Sequence, residues 1–208
     1  MAGIADKNKA SLVLKKKGKP FFTLGILNPL SEAGGVEFPF TPTIQISHQT
    51  SYGQYDVPGS NYQQQYYMNT PNPSISVTAM FAANSDAEAR YTAAALHFFK
   101  TCTKSDFGIQ RQETAGTPPP ILKFNCYGAV HANNVPCVIR SFNYTLPEDT
   151  DYVDVDTGGE TMSIPALLLV SLELAPQLPP KKVKDEFNLA TFASGLALKG
   201  GNNGGFIQ

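Results

Sequence analysis

Residues 38–85 carry one formal charge, Asp56, over forty-eight positions, and five of the nine tyrosines crowd into 52–67. A stretch so poor in charge is unsuited to an ordinary solvated surface and calls for burial against the rest of the chain or against another chain. Within it two segments alternate with period two. Residues 43–49 set Ile44, Ile46 and His48 on one face, and residues 74–81 do the same with Ile75, Val77, Ala79 and Phe81. Two long strands are expected. Between them lie a turn cluster at 56–61, with Pro58 and Gly59, and the run Gln63, Gln64, Gln65, Tyr66, Tyr67, so the hairpin extends well beyond a normal core. A protruding ribbon of this kind leaves backbone groups on its edges that need a partner.

The other segments predict a mainly β chain with one α-helix. The helix starts at Ser85, a capping residue, with Glu88 placed to close a capping box, and Ala89, Thr92, Leu96 and Phe99 form an inward stripe that Cys102 or Thr103 extends. Further strands are expected at 121–127, 135–144 and 163–174, and a short one at 187–189. The sum is one helix packed on an antiparallel sheet or barrel.

Charge is local. The 16 basic and 17 acidic residues nearly cancel, so no global field draws the chain to nucleic acid or membrane. Six of the lysines, Lys7, Lys9, Lys15, Lys16, Lys17 and Lys19, fall in the first nineteen residues around an apolar Leu12-Val13-Leu14 seed. They fit a solvated edge strand or a basic, partner-facing arm. Acids gather at Glu148, Asp149, Asp151, Asp154, Asp156 and Glu160. A calcium-loop frame opened at Asp154 places Pro165 where the bidentate Glu belongs, which leaves a solvated loop or a partner-facing patch.

Few residues are available for catalysis. His48, His97 and His131 are the only histidines, and they read as core or interface residues; no nucleophile elbow, phosphate loop or histidine metal pair occurs. Cys102, Cys126 and Cys137 have neither disulfide nor zinc spacing and read as reduced core residues. The expectation is no enzyme, no cofactor and no metal. The longest uncharged apolar stretch, residues 161–172, is too short to span a membrane and is broken by Pro165, so no membrane partner and assembly in the cytosol are expected.

Several segments, taken in order, resemble the baseplate tail-tube family of contractile-tailed bacteriophages, which includes the tail tube initiator and its neighbouring tube protein. They are FPFTPTIQIS at 38–47, ISVTAMF at 75–81, TKSDFG at 103–108, GTPPPIL at 116–122, VPCVIRSF at 135–142 and LPEDTDYV at 146–153. The resemblance lies in their order and spacing over more than a hundred residues.

This resemblance implies an antiparallel β-barrel or sandwich of the phage tail-tube type, with a long extended hairpin. Residues 1–208 would form one such domain, with a basic N-terminal segment (1–20) and a Gly-rich tail (199–208). It implies a virion protein of the tail baseplate, a homohexameric ring that sits on the hub and initiates polymerisation of the tail tube. The partners implied are further copies of the chain, the hub and the neighbouring tube ring or tail tube protein, with sheath or wedge proteins as further candidates. DNA would be met only in transit through the lumen. The inter-subunit hairpin would be residues 43–55 and 63–81, carrying Ile44, Ile46, His48, Tyr52, Tyr55, Tyr66, Tyr67, Ile75, Val77, Ala79 and Phe81. Lys15, Lys16, Lys17, Asp149, Asp151 and Asp154 are the other partner-facing candidates.

The hairpin has neither lysine nor arginine. That suits a DNA conduit, because cations along the wall would bind phosphate and stall transit. It equally suits a ribbon buried between chains. A β-sandwich receptor-binding or adhesin module with a Tyr-rich binding loop is the alternative reading. On the ring reading, Asp at Ile46 or Val77 is expected to block ring formation more than it unfolds the chain; equal loss of both in a sedimentation and urea-melt comparison rejects that placement.

Overall fold

The computed structural model describes residues 9–14, 25–107, 116–128, 131–156, 161–198 and Phe206. In chain order the elements are β1 (Ser11–Leu14), a 3-10 segment (Gly25–Leu30), β2 (Gly35–Glu37), β3 (Thr43–Ser47), β4 (Ser51–Tyr55), β5 (Gln64–Asn69), β6 (Ser74–Ala82) and α1 (Asp86–Cys102). They continue with β7 (Leu122–Cys126), β8 (Ala132–Thr145), β9 (Tyr152–Asp156), β10 (Thr161–Pro165), β11 (Leu167–Pro176), α2 (Pro180–Glu186), α3 (Leu189–Ala193) and a second 3-10 turn (Leu196–Leu198). Among the described residues, seven strands form one antiparallel sheet in the order β2-β1-β7-β8-β11-β6-β3, and β9–β10 and β4–β5 are separate two-stranded ribbons.

Alternation decides which face of the sheet is covered. In β6 Ile75, Val77, Ala79 and Phe81 are buried, and in β11 Leu168, Val170, Leu172 and Leu174. Leu122, Phe124 and Cys126 of β7 continue the layer. α1 lies over it. The helix buries Ala93, Ala94 and Ala95 as well as the expected stripe of Ala89, Thr92, Leu96, Phe99 and Cys102. It is covered on a second side by the 3-10 segment and by the β9–β10 ribbon, whose Val155 and Ile164 point inward. Three consecutive alanines allow close approach on both sides at no cost in helix propensity. The helix start is as expected, with one shift. Ser85 Oγ accepts from Glu88 N–H, but the Glu88 carboxylate accepts from Asn84 N–H, one residue before the cap.

Several expectations change. The mainly β antiparallel fold is as expected, and of the sheet or barrel anticipated it is the open sheet that forms; β2 and β3 remain as its edges among the described residues. β1 is not an edge strand, because β2 pairs on one side of it and β7 on the other, with Leu12 fully buried. The strand expected at 163–174 is broken at Ala166, where Pro165 ends β10 and the chain turns into β11. The expected strand at 187–189 is helical on both flanks: Pro180 opens α2 at its first turn, and Asn188 caps α3 through its side chain. α1 is therefore joined by two short helices. His97 is exposed on α1, and His48 and His131 are exposed as well, so none is a core residue.

The expected placement of Val77 also changes. Its side chain is fully buried in the protein's own core, between Ile44 of β3 and Leu172 of β11 in register. Val77→Asp is now expected to unfold the chain, at about 4 kcal/mol or more for a buried unpaired carboxylate. A urea melt measures it, and a variant as stable as the parent contradicts the burial.

Two further tests come from buried titrating groups. Tyr91 Oη donates to the Glu37 carbonyl (2.7 Å) and accepts from Glu37 N–H (2.9 Å), tying α1 to β2. Burial pushes its phenol up from 10.0 to about 12. The neutral phenol's contribution is therefore complete below pH 10 and lost as the pH climbs through 12. Tyr91→Phe is expected to flatten the alkaline slope of stability while lowering stability at neutral pH. The three cysteines are free and buried, as the sequence reading holds. Burial pushes Cys126 up to about 11 and Cys137 to about 12, and Cys102 higher still. Aromatic disulfide reagents are expected to label no thiol in the folded protein and all three after denaturation.

Candidate interaction surface

The expected hairpin is present and leaves the sheet. β3 and β6 pair with Ile46 opposite Ile75 and Ser47 opposite Ser74, and the same two chain paths resume beyond as β4 and β5, with Ser51 opposite Asn69 and Tyr55 opposite Gln64. A register shift between Ser51 and Tyr52 marks the irregularity past the sheet. At the base, Asn72 Nδ2 donates to the Pro176 carbonyl oxygen at 3.2 Å. At the tip, Ser60 N–H closes a turn on Val57 O, with Gly59 in the left-handed region at φ 82°.

All six residues of β5 are exposed, and β4 and β5 pack chiefly on one another. What order they have is aromatic. The Tyr52 and Tyr67 rings meet edge to face at 6.1 Å, Tyr67 Oη is 3.0 Å from Thr70 Oγ1, and the Tyr66 ring lies over Gly53, its cross-strand neighbour. An aromatic pair such as Tyr52–Tyr67 contributes about 0.5–1.5 kcal/mol. An isolated two-stranded ribbon is marginal in water, and both of its edges offer unpaired backbone groups.

The expected hairpin residues thus divide. Tyr52, Tyr55, Tyr66 and Tyr67 are exposed on the ribbon, and His48 is exposed just past β3. Ile44 and Ile46 are half-buried against the core, while Ile75, Val77, Ala79 and Phe81 are buried in it. Lys15, Lys16 and Lys17 lie outside the described residues. Asp149, Asp151 and Asp154 are exposed; Asp154 Oδ1 accepts from Ser163 Oγ across β9–β10.

Sequence reasoning missed the open face of the main sheet. One row across it reads Thr43, Thr78, Ser171, Asn143, and the next Gln45, Ser76, Glu173, Ser141. Glu173 is met by Arg140 at 3.5 Å and by Ser141 Oγ at 3.4 Å. Farther along, Met80 stands opposite Leu169, with Leu167 two residues away, and all three are half-exposed. The signal was present as the unbroken run Leu167-Leu168-Leu169, in which an outward leucine on either side of an inward one hides the period of two.

Chemically the described residues offer binding surface. No three of their His, Cys, Asp and Glu side chains are grouped to hold a metal ion, and none of their helices is long and apolar enough to cross a membrane. A cleft of about 330 Å³ beside Ile26, Pro29 and Val155 has one cation on its wall, Arg90, whose Nε donates to Asp86 at 2.8 Å.

No family model and no curated protein matches the chain. Among solved structures, the tail of an empty GTA particle, obtained by helical refinement in C6 symmetry, is similar to it at 13% identity with a TM-score of 0.37, over 86% of this chain and 96% of that one.

Proposed function

We propose that the chain is a structural protein of a contractile phage tail, a baseplate tube ring of six copies that sits on the hub and starts tail tube polymerisation, with DNA passing through its lumen in the assembled virion. The observation that carries this reading is the β4–β5 ribbon, exposed at every position of β5 and holding little but itself. A hairpin that leaves its own core gains partners by pairing with the edge of the next subunit, and β3 offers such an edge at its root. Repetition of one heterologous contact closes a ring when the rotation is right, and closure removes the exposed edges. The order of the tail-tube-like segments in the sequence selects this assembly from other edge-pairing ones. The absence of Lys and Arg from 43–81 suits a wall past which DNA must slide.

Tyr62, 84% exposed near the ribbon tip, favours as a second reading a receptor-binding module that uses the tyrosines as contacts. One experiment separates the two. Replacing residues 52–67 by Asn-Gly removes the ribbon and leaves the core intact, so the thermal midpoint is expected to stay unchanged. Electron microscopy with added tail tube protein is expected to show ring-templated tubes for the parent and none for the variant. Tubes seeded equally by the variant reject the ring reading.

A further inference from the structure

We infer that Tyr91 closes the β2 edge of the main sheet to strand pairing, so that a second copy of the chain adds to the sheet at β3 and not at β2. This names the edge that the proposed ring uses, and rests on that reading only for the choice of a second copy as the source of the incoming strand.

The backbone of β2 has a definite outward row. Phe38 N–H donates to Ala10 O and Leu14 N–H to Gly34 O, both at 3.1 Å. Antiparallel bonding alternates along a strand, so Val36 bonds β1 as well, while Gly35 and Glu37 turn their N–H and C=O groups away from it. An outward row of this kind is a template for another chain. At Glu37 both groups are already taken: Tyr91 Oη donates to the carbonyl at 2.7 Å and accepts from the N–H at 2.9 Å. One phenol thus makes both bonds that an added strand would make there, and it stands within the roughly 4.8 Å that the next strand's backbone needs. Glu37 itself is exposed and adds a charge to the same edge. Behind it the apolar layer is complete, with Val36 and Phe38 buried.

β3, at the opposite edge, has none of these defences. Residues 43–47 read Thr-Ile-Gln-Ile-Ser, without the charge or proline that commonly blunts an edge. Among the described residues β3 pairs with β6 alone. Tyr127 Oη donates to the Pro42 carbonyl just before the strand, so the open span begins at Thr43. Behind this edge the apolar layer is unfinished. Ile44 stands opposite Val77 and Ile46 opposite Ile75, and the two β6 residues are fully buried where the two β3 residues are only half covered. A strand laid along β3 completes their burial.

The asymmetry matters because β2 and β3 are the two ends of one sheet. With both open, β3 of one copy pairs with β2 of the next, a heterologous contact that repeats into open chains. Sealing β2 removes that route and leaves β3 for the strand that closes a ring.

The test reads the mass of the full-length chain by light scattering, without tail tube protein. Tyr91→Leu keeps an apolar, helix-favouring side chain on α1 and frees both groups of Glu37. It is expected to associate through β3 on β2, with a weight-average mass at least about twofold above the parent at equal concentration, since each contact leaves another edge open. Adding Glu37→Pro is expected to return the mass to that of the parent, because proline blocks the outward row while the bonds from 34, 36 and 38 to β1 remain. Thermal melts identify the folded variants; Tyr91→Phe, which loses the hydroxyl alone, takes the same measurement should Tyr91→Leu fail to fold. A folded variant at the parent's mass, or association that survives Glu37→Pro, overturns the inference. The ring is judged separately, on tube seeding. A mass gain in Tyr91→Leu together with tubes seeded equally by the ribbon-shortened protein keeps the seal and rejects the ring; no mass gain together with tubes seeded by the parent alone does the reverse.

Discussion

Phe99 fastens the helix to the sheet, and the distinction between a covered and an open sheet face depends on it. Its ring lies 5.4 Å from Phe142 of β8, 6.0 Å from Phe98 and 6.5 Å from Phe38, which in turn meets Phe81 of β6 at 6.2 Å. This one cluster joins α1, two central strands and the segment that follows β2. With one face sealed, the opposite face can remain neutral and open, and the β3–β6 hairpin can leave the sheet without carrying core residues with it. The inward side chains of β6 hold the fold, and the tyrosines farther along the same hairpin are left exposed.

How much of this was legible depended on whether one physical signal acted alone. In 43–47 and 74–82 alternation ran without interference from charge, and the two strands were found where expected. Ser85 and Glu88 sit at the start of α1 because capping is local chemistry. Legibility failed where tertiary context intervened. Leu12 lies among lysines in the sequence, yet the pairing of β1 between β2 and β7 buries it, and no local pattern reports a strand's neighbours. β9 was hidden because its exposed positions carry Asp154 and Asp156, which read as loop. α2 opens on Pro180 and α3 is capped by Asn188, but helices this short lack a periodicity that would mark them in the sequence.

The near-zero net charge conceals a segregated one. From residue 141 to residue 180 the sequence contains seven acids and no base, while lysines dominate the first nineteen residues and return in α2. A chain arranged in this way is neutral to a distant partner and charged to one that meets either of these segments alone. Contacts through the acidic segment are then sensitive to salt over about 10 Å, whereas contacts through the tyrosine ribbon are not.

β11 is bonded along most of its length to β6 on one side and to β8 on the other, with Leu167 at one end and Pro176 at the other. A pull applied between those termini loads the strand lengthwise, at right angles to the interstrand hydrogen bonds. All of them then resist together in shear, instead of opening one at a time as in a peeled hairpin. A chain loaded along this strand has in it an element whose mechanical strength grows with its number of ladder bonds.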